Sequence, residues 1–123
     1  MARLTVVVPC YNEADRLEPA PLLAFVDGRP DASLLLVDDG SHDATAEVLA
    51  RLAAQRPGRI RALSLAPNRG KAEAVRHGMR EALAAGAGVV GYLDADLSTP
   101  PAETDDLLAA LGRPGVQAAI GAR

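Results

Sequence analysis

Short apolar runs alternate with amphipathic stretches along almost the whole chain, and this alternation limits the possible folds more than any other feature. The apolar runs predict buried strands, because their hydrophobic residues stand on consecutive positions and not on every second one. These runs cover residues 4–8, 33–37, 60–65, 88–93 and, more weakly, 117–120. The stretches between them predict helices over residues 16–26, 44–55, 71–85 and 102–111.

Strands that alternate with helices through short connections predict an α/β fold with a mostly parallel sheet and helices on both faces. The helical periodicity suggests which residues face the sheet. In the second helix these are Val48, Leu49 and Leu52, and in the third they are Val75, Met79 and Leu83. At 123 residues the chain has the size of one domain.

Composition excludes several classes of function. A formal charge of −3 and only three aromatic residues argue against a nucleic-acid partner. Cys10 is the only cysteine, so the chain has neither a disulfide nor a cysteine-based metal site. No apolar stretch approaches the roughly 20 residues of a transmembrane helix, and the first residues resemble a strand more than a signal peptide. We therefore expect a cytoplasmic protein.

Polar residues follow each of the first four predicted strands. The segments read Pro-Cys-Tyr-Asn-Glu at 9–13, Asp-Asp-Gly-Ser at 38–41, Asn-Arg-Gly-Lys at 68–71 and Asp-Ala-Asp-Leu-Ser at 94–98. In open parallel sheets, ligands bind beyond the carboxyl ends of the strands. The sequence therefore predicts that all four segments meet at one functional edge.

Asp94 and Asp96 form the sharpest chemical signal at that edge. In an extended chain, residues two apart point the same way, so both carboxylates can face one ion. Mg²⁺ and Mn²⁺ prefer oxygen ligands, often one or two carboxylates together with substrate phosphate. The pair predicts a divalent metal site.

Other polar residues at this edge have two interpretations each. Asp38 and Asp39 are adjacent and should point in opposite directions, so we expect only one to reach a ligand. Asp38, Ser41 or Asp43 could instead cap the following helix. Glu13 could accept a ligand hydroxyl or be a favourable acid in the first turn of a helix. Three further residues are expected to have no catalytic role: Cys10 should be a packed side chain, and His42 and His77 should be surface residues.

The sequence resembles glycosyltransferase family 2, the inverting transferases of the GT-A fold, which is Rossmann-like. The matching segments are Val-Val-Pro-Cys-Tyr-Asn-Glu at 7–13, Val-Asp-Asp-Gly-Ser-His-Asp-Ala-Thr at 37–45, Asn-Arg-Gly-Lys at 68–71, Asp-Ala-Asp-Leu-Ser-Thr-Pro-Pro at 94–101 and Ile-Gly-Ala-Arg at 120–123. Within the family, the third and fourth segments look most like the branch that includes dolichyl-phosphate β-glucosyltransferase and dolichyl-phosphate mannosyltransferase.

The resemblance implies a role for each matching residue. The nucleoside pocket would be lined by Pro9, Tyr11 and Glu13, with Asp39 reading the base. Asp94 and Asp96 would hold Mg²⁺ or Mn²⁺ and act in catalysis, with Ser98 as an auxiliary ligand. Lys71 and Arg123 would lie near phosphate.

The resemblance further implies transfer of a hexose from a nucleotide-diphosphate sugar, of the UDP-glucose or GDP-mannose type, to an acceptor. The acceptor of this branch is a polyprenyl or dolichyl phosphate, which would bring the protein to the cytoplasmic face of a membrane. Family members continue beyond the position of Arg123 into acceptor-binding segments. We therefore expect residues 1–123 to be the truncated nucleotide-sugar-binding part, which binds donor but transfers poorly. The oligomeric state is open.

Four alternative interpretations of the pattern make different predictions. A receiver domain would place its acidic pair after the first strand, where this chain has Pro-Cys-Tyr-Asn-Glu. A Rossmann dehydrogenase would need Gly-x-Gly-x-x-Gly after a strand. A sugar nucleotidyltransferase would show a Gly-rich, basic loop after the first strand. A non-catalytic nucleotide-binding remnant of the family stays open.

Overall fold

The computed structural model describes residues 4–92, which form a sheet of four strands with helices in the connections. The elements are β1 (Leu4–Cys10), α1 (Pro19–Asp27), β2 (Ala32–Asp39), α2 (Thr45–Gln55), β3 (Ile60–Leu65), α3 (Lys71–Ala84) and β4 (Val89–Tyr92). The strand order is β3-β2-β1-β4, and every pairing is parallel. The predicted parallel sheet is confirmed. The strand predicted at 117–120 and the helix predicted at 102–111 lie outside the described residues.

Two hydrophobic cores lie on opposite faces of the sheet. Alternate residues of β1 and β2, such as Val6 and Leu34, pack with α1 and α2. The residues between them, such as Val7 and Leu35, pack with α3. Because successive strand residues point to opposite faces, strands covered on both sides must be apolar at every position. This confirms helices on both faces and explains the continuous apolar runs.

The face that α3 turns to the sheet differs from the prediction. Its buried residues are Ala74, Gly78 and Ala82, whereas Leu83 is 49% exposed. Val75 and Met79 are half-buried beside that stripe. The reason is the close approach of helix and sheet. A Cβ atom added at Gly78 would lie 2.5 Å from Cγ1 of Val7, so only small residues fit between the two elements.

Several element boundaries also differ from the prediction. β1 extends through Pro9 to Cys10, and β2 extends to Asp39, because their parallel pairing continues to the Cys10–Asp38 register. Helix α1 begins at Pro19 and not at residue 16. The amides of Arg16 and Leu17 both donate to the carbonyl of Glu13 in a separate turn. Glu18 is extended, as expected for a residue before proline.

Candidate functional site

The connections reverse direction at the centre of the sheet, beside β1. From β1 the chain moves outward to β2 and β3, and α3 then returns it to β4 on the other side of β1. Ligands of open α/β sheets bind in the crevice that such a reversal leaves at the carboxyl ends of the strands. The crevice here lies between the segment after β1 and the end of β4.

The segment after β1 is bonded to the segment after β2 through Asn12. Its amide donates to Oγ of Ser41 at 2.9 Å, and its Oδ1 accepts from the amide of His42 at 2.9 Å. Asn12 has φ +51°, the left-handed conformation that asparagine tolerates better than most residues. The ring of Tyr11 meets the ring of His42 edge to face, with centroids 6.5 Å apart. Tyr11 is 41% exposed, so its ring stands at the rim and is open to a ligand.

A second pair of bonds joins the same two segments. The amide of Glu13 donates to Oγ1 of the fully buried Thr45 at 2.9 Å. The amide of Ala14 donates to Oδ2 of Asp43 at 3.4 Å. Asp43 also accepts from the hydroxyl and the amide of Thr45, and the hydroxyl is the main cause of its lowered pKa. Asp43 therefore caps the start of α2, as one of the two interpretations expected, and joins it to the neighbouring segment.

The carboxylate of Glu13 keeps acceptor capacity beside these bonds. Its side chain is 16% exposed, and Oε1 lies 3.1 Å from Nη2 of Arg16. That oxygen is enclosed, yet it accepts no hydrogen bond with good geometry from residues 4–92. Because Glu13 precedes α1 by several residues, the interpretation as a first-turn helix acid does not apply. Oε1 is paired with Arg16, so a ligand hydroxyl could meet the carboxylate only through the part of the side chain that stays exposed.

Asp38 and Asp39 diverge as expected for adjacent strand residues, and both are buried, with exposures of 6% and 2%. Oδ1 of Asp38 accepts from the amide of Ser41 at 3.0 Å, which closes the turn after β2. Asp39 points instead to the segment before α3.

Both oxygens of Asp39 accept hydrogen bonds from that segment. Oδ1 accepts from the amide of Arg69 at 2.8 Å, while Oδ2 accepts from the amide of Gly70 and from Nδ2 of Asn68, both at 2.9 Å. Nδ2 of Asn68 also donates to the carbonyl of Asp39 at 2.8 Å. A carboxylate has about four acceptor positions, so Oδ1 has one that no residue in 4–92 takes, although only 2% of Asp39 is exposed. Gly40, at φ +71°, permits this approach, since a Cβ there would lie 2.5 Å from the amide nitrogen of Asn68.

Lys71 stands at the other side of the crevice. It is the first residue of α3, and its Nζ lies 5.7 Å from the ring centroid of Tyr92, at the end of β4. These two residues, with Ala72 and Val75, line a cavity of about 470 Å³. The cavity has a basic rim and an apolar wall. Pro9 lies below the edge, buried in β1 opposite Val37.

Cys10 is a packed side chain, as predicted. It is 1% exposed, and its thiol donates to the carbonyl of Val8 at 3.4 Å. Burial, with smaller contributions from the nearby charges of Glu13 and Asp38, raises the pKa of the thiol to about 12. The thiolate needed for nucleophilic chemistry does not form at neutral pH.

The predicted metal ligands Asp94, Asp96 and Ser98 lie outside the described residues, as does Arg123. Within residues 4–92 no group of three His, Cys, Asp or Glu side chains is placed to hold a metal ion.

Comparison with known proteins agrees with this architecture. Residues 5–123 match the family model described as Glycosyl transferase family 2. The chain belongs to glycosyltransferase family 2.

Two relatives show which part of the family is similar. An undecaprenyl-phosphate 4-deoxy-4-formamido-L-arabinose transferase of Edwardsiella ictaluri is 41% identical over 87% of the chain, which spans 33% of that protein. A dolichyl-phosphate beta-glucosyltransferase of Drosophila melanogaster is 39% identical over 88% of the chain, which spans 35% of that protein. The chain thus spans about a third of the length of the curated relatives it matches. Their names confirm the predicted resemblance to polyprenyl-phosphate sugar transferases.

A solved structure confirms the fold. The mannosyltransferase PcManGT from Pyrobaculum calidifontis, in complex with GDP-Man and Mn²⁺, matches 92% of the chain with a TM-score of 0.64 and 26% identity, and the chain covers 33% of it. The parallel sheet flanked by helices is the Rossmann-like GT-A fold that the sequence predicts. In the described part of the family 2 chain, no helix is both long enough and apolar enough to cross a membrane.

Some residues at this edge were not assigned a site role from the sequence. Asn12, Ser41 and Thr45 hold the segment after β1 in place through side-chain bonds to neighbours about 30 positions away. Their short polar side chains are typical of turns and caps, and that signal alone does not identify their partners. The topology was needed to bring the partners together.

Proposed function

We propose that this chain binds the nucleotide-diphosphate sugar of an inverting hexosyl transfer in the crevice between β1 and β4. The observation that carries the proposal is the cross-bonded edge of the sheet. The segment after β1 is bonded to the segment after β2, and Asp39 in turn holds the segment before α3. Four of the residues to which the sequence resemblance assigned donor binding (Tyr11, Glu13, Asp39 and Lys71) therefore stand along one edge.

The nucleoside would lie on the β1 side of that edge. Tyr11 offers an exposed ring face at the rim, above Pro9 in the strand. The Glu13 carboxylate, whose side chain is 16% exposed beside the ion pair with Arg16, would accept a hydrogen bond from a ribose hydroxyl. Asp39 would read the base through its remaining acceptor position, which requires a donor N–H on the base.

The diphosphate would lie on the α3 side, where Lys71 supplies positive charge at the start of a helix. Both the ammonium and the positive end of the helix dipole favour an anion. Arg123, outside the described residues, is proposed as a further phosphate contact.

Mg²⁺ or Mn²⁺ would be held by the carboxylates of Asp94 and Asp96, with the Ser98 hydroxyl as an auxiliary ligand. These oxygen donors suit either ion, and β4 ends at Tyr92, two positions before Asp94, at the same edge as the other segments. The named complex of PcManGT with GDP-Man and Mn²⁺ supports a divalent ion beside the donor. When bound, the ion would offset the charge that develops on the nucleoside diphosphate as the glycosidic bond breaks.

The acceptor proposed here is a polyprenyl phosphate, supported by the names of the relatives. A phosphate oxygen would attack the anomeric carbon from the face opposite the leaving group, which inverts the configuration. This nucleophile is already ionised at neutral pH, so a strong general base is not required. Such an acceptor would place the reaction at a membrane surface.

Calorimetric titration of the chain with UDP, GDP and their sugars, with and without Mn²⁺, tests the proposal. We expect one nucleotide series to bind, more tightly with metal, and Lys71→Ala to weaken diphosphate binding about tenfold through the loss of a charge-assisted contact. Arg80→Ala, on an exposed part of α3, is the matched control and should change nothing. A folded chain that binds neither series would refute the proposal.

Transfer by the 123 residues alone is expected to be slow, because they correspond to about a third of the relatives' length. The measurement is release of the nucleoside diphosphate in the presence of a polyprenyl phosphate. Rapid transfer would show that the matched third already contains the whole acceptor site.

A further inference from the structure

The carboxylate of Asp39 has more partners than a residue that only contacts a base would need. Three of its four acceptor positions are taken by the backbone and side chain of residues 68–70. A fourth bond joins Asn68 to its carbonyl. All of these bonds cross from the end of β2 to the segment that begins α3, and none involves the turn after β2.

We propose that Asp39 is a positioning residue for Lys71. By holding residues 68–70 against the end of β2, its carboxylate fixes where α3 begins and therefore where the Lys71 ammonium stands at the crevice. This inference rests on the proposed function, since it concerns the diphosphate side of the same donor site.

The charge distribution at the bond supports this role. Asp39 is 2% exposed, and a buried carboxylate needs strong compensation. The compensation comes from Nδ2 of Asn68 and from the backbone amides of Arg69 and Gly70, which lie just before the first turn of α3. The Asp39 carboxylate therefore lies at the N-terminal end of α3, but it bonds the two residues before the helix and not the amides of its first turn.

The geometry around the bond leaves the segment little freedom. Gly40 lies directly under Asn68, so the two backbones are in contact. Lys71 follows Gly70 without an intervening residue, and its ammonium stands over Tyr92 at the far side of the crevice. A shift of residues 68–70 would thus be passed on to the ammonium. Asp39 would in this way couple recognition of the base to placement of the cation that meets the diphosphate.

The test uses Asn68→Ala, which removes two of the four bonds but leaves the Asp39 carboxylate available to a base. Asp39→Asn is the second variant, and Arg80→Ala on exposed α3 surface is the control. In the ligand-free chain, hydrogen exchange of the Arg69 and Gly70 amides should accelerate about tenfold or more in both variants and not in the control, because a charge-assisted bond is lost or weakened.

Nucleotide affinities then separate positioning from structure. The ratio of diphosphate to monophosphate affinity, measured with UDP, UMP, GDP and GMP at fixed Mn²⁺, should fall about tenfold in Asn68→Ala while monophosphate affinity stays within about twofold. In a Lys71→Ala background, Asn68→Ala should no longer change the ratio, since coupled residues are non-additive. If Asn68 only supported the local structure, Asn68→Ala would lower the diphosphate and monophosphate affinities alike, and its effect would be additive with that of Lys71→Ala.

Each result decides one claim. Unchanged amide exchange in both variants would overturn the holding role of Asp39, whether or not a nucleotide binds. Faster exchange with an unchanged affinity ratio would overturn the positioning of Lys71. If the unaltered chain binds no nucleotide at all, the proposed function fails and the positioning claim fails with it. The exchange data still test the contact between Asp39 and residues 68–70 in that case.

Discussion

Replacing Thr45 with valine should loosen the candidate site without leaving a cavity. The hydroxyl of this fully buried residue accepts from the amide of Glu13 and donates to the carboxylate of Asp43. Valine has almost the same shape and nearly the same helix propensity, so the change removes only the hydroxyl. Thr45→Val therefore isolates the bond between the segments after β1 and β2.

The expected loss in the free energy of unfolding depends on which hydrogen-bonding group is left unpaired. The amide of Glu13 is partly buried and would have no acceptor, which costs about 1–3 kcal/mol. Asp43 is exposed and retains the amide of Thr45 at 2.9 Å, so its loss adds little. The free energy of unfolding should therefore fall by about 2 kcal/mol, and donor affinity should fall about fivefold as Glu13 loses its anchor.

Urea denaturation and nucleotide titration would measure both effects. Thr5→Val is the matched control, because Oγ1 of Thr5 pairs with Oγ of Ser33 at 3.1 Å near the amino end of the sheet and no backbone amide is released there. That variant should stay within about 1 kcal/mol of the unaltered chain and bind nucleotide normally. Equal stability losses in the two variants would show that the Glu13–Thr45 bond has no special role.

Two further predictions follow from the packing. Gly78→Ala should lower the free energy of unfolding by about 1–2 kcal/mol in urea denaturation, because the new Cβ would lie 2.5 Å from Cγ1 of Val7. This loss is expected even though alanine favours helices by about 1 kcal/mol. A neutral or stabilising result would contradict the close contact between helix and sheet. Cys10 should resist a disulfide reagent at pH 8 until the chain is unfolded, and stability should fall as the pH rises above about 9, because the native thiol keeps its proton up to about pH 12 whereas the unfolded thiol releases it. Rapid labelling of the folded chain would contradict the burial of that thiol.

The sheet and the edge that carries the site could be predicted from the sequence because they depend on local patterns. Consecutive apolar residues predicted strands buried on both faces, and alternation with helices predicted parallel pairing. Both features are present. The segments at 9–13, 38–41 and 68–71 were expected at one edge, and the structure bonds them to each other there. The expectation for Asp94 and Asp96 stays a prediction.

The remaining features depend on distances that no local pattern contains. Periodicity placed Leu83 on the inner face of α3, but the separation of helix and sheet selected the smaller Gly78 stripe. The divergence of Asp38 and Asp39 followed from strand geometry. Strand geometry did not predict that the Asp39 carboxylate would bond residues 68–70, because these partners lie 29 to 31 positions away in the sequence.

The bonds across the segments after β1 and β2 have a consequence for engineering. The backbone amides of Asn12, Glu13 and Ala14 all donate to side chains of the next βα unit. A chimera that imports residues 9–14 from another transferase would therefore receive the donors of these hydrogen bonds without their acceptors. Residues 41–45 should be exchanged together with them, as a single cassette, if donor preference is to be transplanted between family members.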